Sequence, residues 1–180
     1  MEIKNNTTFM ALSPHNGLSY KYIAPNSADG FTFVCFNSLT GDRTMWETGI
    51  GAKFINQGHG LLTWNMRGQA NSPFSNGEIH EDNIVADAIR LLKKVEPQNP
   101  VFIGLSVGGL YAAKVHLGKE SYPCLGLVLI NTLREIGPRL SWINKSLVRL
   151  VETGGLIYFV MFTHLFCLEK NGKHRIVKIF

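Results

Sequence analysis

Charged side chains are scarce: 17% of the 180 residues are Asp, Glu, Lys or Arg, against 45% hydrophobic. Such a composition excludes a disordered tail, and the glycines and prolines follow no collagen-like period. Cysteine is rarer still. Cys35, Cys124 and Cys167 are odd in number and spaced too widely for a zinc knuckle, a redox pair or a small disulfide scaffold. There is no H-E-x-x-H or C-x-x-C, so no metal site is indicated. A G-x-x-x-x-G-K-[ST] loop is missing, and Gly58-His59-Gly60 precedes a strand instead of joining strand to helix, so no nucleotide cofactor is expected. The first seventeen residues lack the charged start and apolar run of a secretory signal. A cytoplasmic, reduced protein is the expectation.

The formal net charge is +5, unevenly spread: residues 1–153 carry +2 and residues 154–180 carry +3. The globular part therefore shows no electrostatic footprint for nucleic acid. One stretch, Leu156 to Leu168, is membrane-like, with 11 of 13 residues apolar. As a helix it would span about 20 Å, short of a bilayer core of about 30 Å, so stable membrane insertion is not expected.

A chain of this length forms one domain that buries roughly 70% of its unfolded surface. It opens with two β-like runs, Thr8 to Leu12 and Leu18 to Ile23, with Asn16-Gly17 expected to make the hairpin turn between them and His15 read as a turn residue. Four runs then read as core strands: Phe31 to Phe36, Leu61 to Trp64, Val101 to Leu105 and Leu125 to Ile130. Between them lie helical stripes. Trp46, Ile50 and Phe54 fall four apart. Val85, Ala88, Ile89 and Leu92 repeat at i, i+3, i+4 and i+7 ahead of Pro97, and Leu110, Ala113 and Leu117 form a third stripe. Strands alternating with amphipathic helices mean parallel β-α-β units. The expected fold class is α/β: a mostly parallel sheet with an N-terminal β-hairpin.

The informative motif is Gly104-Leu105-Ser106-Val107-Gly108-Gly109, a G-x-S-x-G between a buried strand and a helix. A serine on so sharp a turn needs Gly104 and Gly108 two positions either side, because side chains there would collide. Ser106 is thereby the candidate nucleophile, and the Val107 backbone N–H points where an oxyanion would form. Acyl transfer needs a second donor, from the loop after an earlier strand. In Asn37-Ser38-Leu39-Thr40-Gly41-Asp42 the Leu39 N–H is the candidate. A third element, Asn65-Met66-Arg67-Gly68-Gln69-Ala70-Asn71-Ser72, reads as a polar loop shaped by Gly68.

These three motifs, in this order, resemble the α/β-hydrolase superfamily over roughly residues 18–150. NSLTGD looks like the enol-lactonase and esterase-like branch, NMRGQANS is similar to the family's D-x-R-G-x-G-x-S with Asn65 and Gln69 in place of Asp and His, and GLSVGG resembles the nucleophile elbow. The resemblance implies a serine hydrolase acting on a small-molecule ester, lactone or thioester. Ser106 would attack, and the N–H groups of Leu39 and Val107 would hold the oxyanion.

A serine hydroxyl needs a histidine to take its proton and a carboxylate to orient that histidine, in the family's order Ser, acid, His. No aspartate follows Ser106; the carboxylates are Glu120, Glu135, Glu152 and Glu169, and the histidines His116, His164 and His174. Glu135 stands where some members carry their acid, though it is more cheaply read as a surface charge at the entry to a cap. His116 lies about two and a half helical turns beyond the elbow, on a helix surface. His164 sits in an apolar run and His174 in a polar turn near the end.

Residues 1–153 thus read as a hydrolase core with the start of a cap, Ile136 to Val151, and residues 154–180 as an atypical apolar and basic tail. The resemblance implies two further strand-helix units beyond the cap, and at about 30 residues or more each the C-terminal side is expected to be at least roughly 60 residues short. The tail is expected to be a shifted-frame or alternative end, which reading the encoding DNA in its other frames past codon 155 would test. An incomplete sheet would expose an apolar edge and favour self-association. The competing function is a non-catalytic α/β-hydrolase-like binding protein that lacks acid and base.

Overall fold

A computed structural model describes residues 7–75, 79–132, 135 and 137–168, the side chains of 156 and 159–168 excepted. The chain divides into two compact units, Met1–Arg134 and Glu135–Phe180.

The first unit is built on a six-stranded sheet: β1 (Thr8–Ser13), β2 (Asn16–Ile23), β3 (Thr32–Phe36), β4 (Gly60–Trp64), β5 (Pro100–Leu105) and β6 (Gly126–Ile130), in the spatial order β1-β2-β4-β3-β5-β6. The β1–β2 and β2–β4 pairs are antiparallel, and β3–β4, β3–β5 and β5–β6 are parallel. This is the mixed, mostly parallel α/β sheet with an N-terminal hairpin that the alternation predicts.

The period-two alternation of each strand divides the core between the two sheet faces. Val34, Phe36, Leu62, Trp64 and Phe102 join one cluster, with residues of α3 (Glu81–Val95) and α4 (Val107–Leu117). Their neighbours Cys35, Leu61 and Ile103 join Trp46 of α1 (Thr44–Glu47) in a second, against which Phe54 and Ile55 of α2 (Ile50–Asn56) are set. Phe36 meets both Trp64 and Phe102 edge-on, each such pair adding about 1 kcal/mol beyond its buried area. Helix α3 follows its sequence pattern closely: Ile84, Ala88, Ile89, Leu91 and Leu92 are buried, and the helix ends at left-handed Glu96 before Pro97.

Three expectations are corrected. The hairpin turns at Pro14-His15 instead of Asn16-Gly17: Ser13 pairs with Asn16, and neither Asn16 nor Gly17 has positive φ. Proline's preset φ suits the first central position of a common turn, so no left-handed residue is required. The stripe Trp46–Ile50–Phe54 is two helices, because Gly49 (φ −108, ψ −108) breaks the spiral and leaves Ile50 exposed. The run LGLVLI, read as a core strand, is instead the exposed apolar edge that an incomplete sheet is expected to leave: Val128, Leu129 and Ile130 are all exposed, and among the described residues only β5 pairs with it. Hydrophobicity alone does not tell an edge strand from a central one.

The second unit contains α5 (Pro138–Leu168), a helix interrupted at Gly155, where φ is 67 and ψ is −172. Among the described residues no helix is long and apolar enough to cross a membrane.

Candidate active site

Ser106 stands alone between the end of β5 and the start of α4, at φ 56 and ψ −123. A non-glycine residue in that conformation costs about 1–3 kcal/mol and persists only where its surroundings over-determine it. Here its N–H donates to Ile130 O at 2.9 Å, while its carbonyl accepts from the Gly109 N–H at 3.0 Å and the Thr132 hydroxyl at 3.1 Å. The residue is half-buried.

The glycines around it are required by close approach. A Cβ at Gly104 would run into the backbone of Gly108 and Gly109; one at Gly108 would strike the carbonyl oxygens of Phe36 and Asn37. The pattern reading anticipated both. It did not single out Gly109, where a Cβ would collide with Thr132, although the double glycine of GLSVGG was a visible signal.

The contact at Gly108 brings the first turn of α4 against the end of β3, directly before Ser38 and Leu39. Strands β3 and β5 are neighbours, with Phe36 opposite Gly104, so Ser106, Val107 and the 37–39 loop share the C-terminal edge of the sheet. The loop is held from within. Buried Asn37 donates from Nδ2 to Trp64 O at 2.8 Å, to Gln69 Oε1 at 3.2 Å and to Asn65 Oδ1 at 3.3 Å, and its Oδ1 accepts from the Trp46 indole at 2.9 Å. Gln69 Nε2 donates to Ser38 O at 2.9 Å and Leu39 O at 3.2 Å. Asn65 Oδ1 also accepts from the Arg43 N–H at 2.8 Å. Asn65 and Gln69, which the sequence marks only as departures from a family pattern, are thus the residues that join the third motif to the first.

Glu135 belongs to the second unit and is exposed. His116 Nδ1 lies 3.4 Å from Cys124 Sγ. His59 accepts from the Phe31 N–H at 3.4 Å and packs on Phe31 and Phe33, at the opposite end of β3, while His15 is an exposed turn residue. The side chain of His164 and the whole of His174 fall outside the described residues. Among the described residues no group of three or more His, Cys, Asp or Glu could hold a metal ion.

A mostly parallel sheet sandwiched by helices, with a strained serine between β5 and α4, has the architecture of an α/β hydrolase. The sequence pattern described as serine aminopeptidase, S33, matches residues 40–155, and the chain belongs to that hydrolase family. No curated protein matches it in sequence. A hydrolase from Pseudomonas aeruginosa is similar in structure, with a TM-score of 0.66 and 23% identity over 84% of this chain and 55% of that one. An α/β hydrolase enzyme from a Medee basin deep-sea metagenome library gives 0.71 and 18%, over 91% and 62%. The enol-lactonase from Burkholderia xenovorans LB400 gives 0.62 and 22%, over 82% and 55%. The chain spans little more than half the length of these structures.

Proposed function

We propose that Ser106 is the nucleophile of a serine hydrolase acting on a small carboxylic ester, lactone or thioester. The Ser106 oxygen would attack the acyl carbon as its proton passes to a base. The carbonyl electrons would move onto the oxygen, held by the N–H groups of Leu39 and Val107; as that adduct collapses the base would return the proton to the departing oxygen or sulfur, freeing the alcohol or thiol (in a lactone, the hydroxyl of the ring-opened chain) and leaving an acyl-serine for water to cleave. The observation that carries this reading is the close approach of Gly108 to the Phe36 and Asn37 carbonyls. It sets the N-terminal turn of α4, with Val107 in it, beside the loop that holds Leu39. Amide donors aimed at a developing oxyanion are worth about 10²–10³ in rate each. The likeness to an enol-lactonase supports the substrate class.

Residues 1–153 would form the core with the start of a cap and residues 154–180 a tail; the backbone break at Gly155 supports that boundary, while the compact units themselves divide between Arg134 and Glu135. Free Cys35 and Cys124 suit a reducing, cytoplasmic setting.

A second reading rests on a specific observation: His59 packs on Phe31 and Phe33 and His116 lies against Cys124, while His15 and His80 are exposed, in the hairpin turn and at the start of α3, which suits a binding protein in which Glu135 is a surface charge instead of the triad acid. A fluorophosphonate probe decides between them. Covalent modification mapped to Ser106 by mass spectrometry, and lost in Ser106→Ala, supports the hydrolase. An unmodified Ser106 supports the binding protein.

A further inference from the structure

We infer that Gln69 and Thr132 are positioning residues for the two oxyanion donors, each acting through the carbonyl of the donor's own peptide unit. This rests on the assignment of Leu39 and Val107 as donors.

A trans peptide is planar, with its C=O and N–H pointing in opposite directions. There are no cis bonds among the described residues. The Leu39 N–H therefore shares a plane with the Ser38 carbonyl, and the Val107 N–H with the Ser106 carbonyl. Whatever holds one of those oxygens aims the paired N–H the other way.

Both oxygens are held by side chains from distant segments. Ser38 O accepts from Gln69 Nε2 at 2.9 Å and, less closely, from the Gly41 N–H at 3.3 Å. The orientation of the Gln69 amide is itself determined, because its Oε1 accepts from the Met66 N–H and from Asn37 Nδ2, both at 3.2 Å, while its Nε2 faces two carbonyls. Reversing that amide would set oxygen against oxygen and nitrogen against nitrogen. Ser106 O accepts from the Thr132 hydroxyl at 3.1 Å, a proton shared with Ile130 O at 3.3 Å, and from the Gly109 N–H. Thr132 is also the side chain that a Cβ at Gly109 would strike, so it is wedged against the first turn of α4.

Each donor peptide could flip by a concerted rotation of its flanking dihedrals. A flip would place a carbonyl oxygen where the oxyanion forms, turning attraction into repulsion. Removing Gln69 or Thr132 lowers the cost of that flip at one donor and leaves the other intact. Neither residue need touch substrate.

The test uses the full chain, ¹⁵N-labelled, in five forms: wild type, Gln69→Leu, Gln69→His, Thr132→Val and Thr132→Ser. Relaxation dispersion without any probe comes first. In Gln69→Leu the Leu39 amide gains microsecond-to-millisecond exchange while Val107 stays quiet; in Thr132→Val the pattern is reversed; the donor-keeping Gln69→His and Thr132→Ser stay like wild type. Fluorophosphonate labelling of Ser106 follows, and its rate falls at least about tenfold in the two donor-deleting variants. An unchanged Leu39 amide in Gln69→Leu, indiscriminate broadening across the sheet, or a labelling rate indifferent to both deletions overturns the inference. A wild-type protein that the probe never modifies overturns the hydrolase reading instead, and the amide exchange pattern judges the positioning roles separately.

Discussion

Arg67 and Asp87 meet through two parallel hydrogen bonds, Nε to Oδ2 at 2.7 Å and Nη2 to Oδ1 at 2.8 Å. The Asp87 side chain is 1% exposed and that of Arg67 15%. The guanidinium also lies 5.8 Å from the Phe74 ring centroid. The pair therefore ties the 65–72 loop, and Gln69 with it, to the buried face of α3.

Truncating one partner leaves the other charge shielded and unpaired, which costs about 3–5 kcal/mol. Asp87→Ala should lower stability by roughly 3 kcal/mol in urea denaturation, and Arg67→Ala by a similar amount. The double variant should lose clearly less than the sum, because the second deletion removes the stranded charge. Strict additivity would show that the pair is not coupled.

The glycines around Ser106 should differ in tolerance. Alanine at Gly108 collides with two backbone carbonyls that belong to the central strand and its exit loop, so nothing nearby can give way. Alanine at Gly109 meets the side chain of Thr132, which sits beyond an edge strand. Gly108→Ala is expected to cost on the order of 3 kcal/mol or to abolish folding, and Gly109→Ala less. Replacing Thr132 by glycine should recover part of the second loss and none of the first. Thermal melts of the two single and two double variants beside wild type and Thr132→Gly would check this order.

Stability should decline in alkali. Burial, with Glu47 nearby, pushes the Cys35 thiol far above its ordinary value of 9.0, and burial also raises Tyr111 and Tyr122 above 10.0. A raised folded value means that above about pH 9 the unfolded chain sheds a proton the folded chain keeps, so stability is full below that pH and falls as pH rises. For Cys35 alone the slope is about 1.4 kcal/mol per pH unit. Denaturation between pH 8 and 11 should show it, with a shallower decline in Cys35→Ala. A reagent that alkylates thiolates should reach Cys35 only on unfolding.

Among the described residues strand β6 pairs only with β5, and Val128, Leu129 and Ile130 are each at least 40% exposed along its other edge. Such edges template pairing with other chains. Sedimentation velocity should show concentration-dependent association, weakened in Leu129→Lys by charge at the edge. A monomer at all concentrations would count against this.

Much of the fold was legible because it is written locally. The four-residue spacing from Val85 to Leu92, the β-branched and aromatic runs at β3 and β5, and the glycines around Ser106 each depend on neighbours close in sequence. The strain at Ser106 is of the same kind, since G-x-S-x-G between a strand and a helix carries its own steric reason. Where the reading failed, two local solutions were available: Pro14-His15 competed with Asn16-Gly17 for one turn, and an apolar run serves equally as core or edge strand.

What the tertiary structure alone decided is which distant groups face each other. That Gln69 reaches the Ser38 carbonyl, that Thr132 reaches the Ser106 carbonyl, and that Arg67 finds Asp87 are matters of strand order and loop path across 20 to 31 residues. Hydrogen bonds are short-ranged and directional, so a sequence names the donors and acceptors it holds, and only folding selects the pairs that meet.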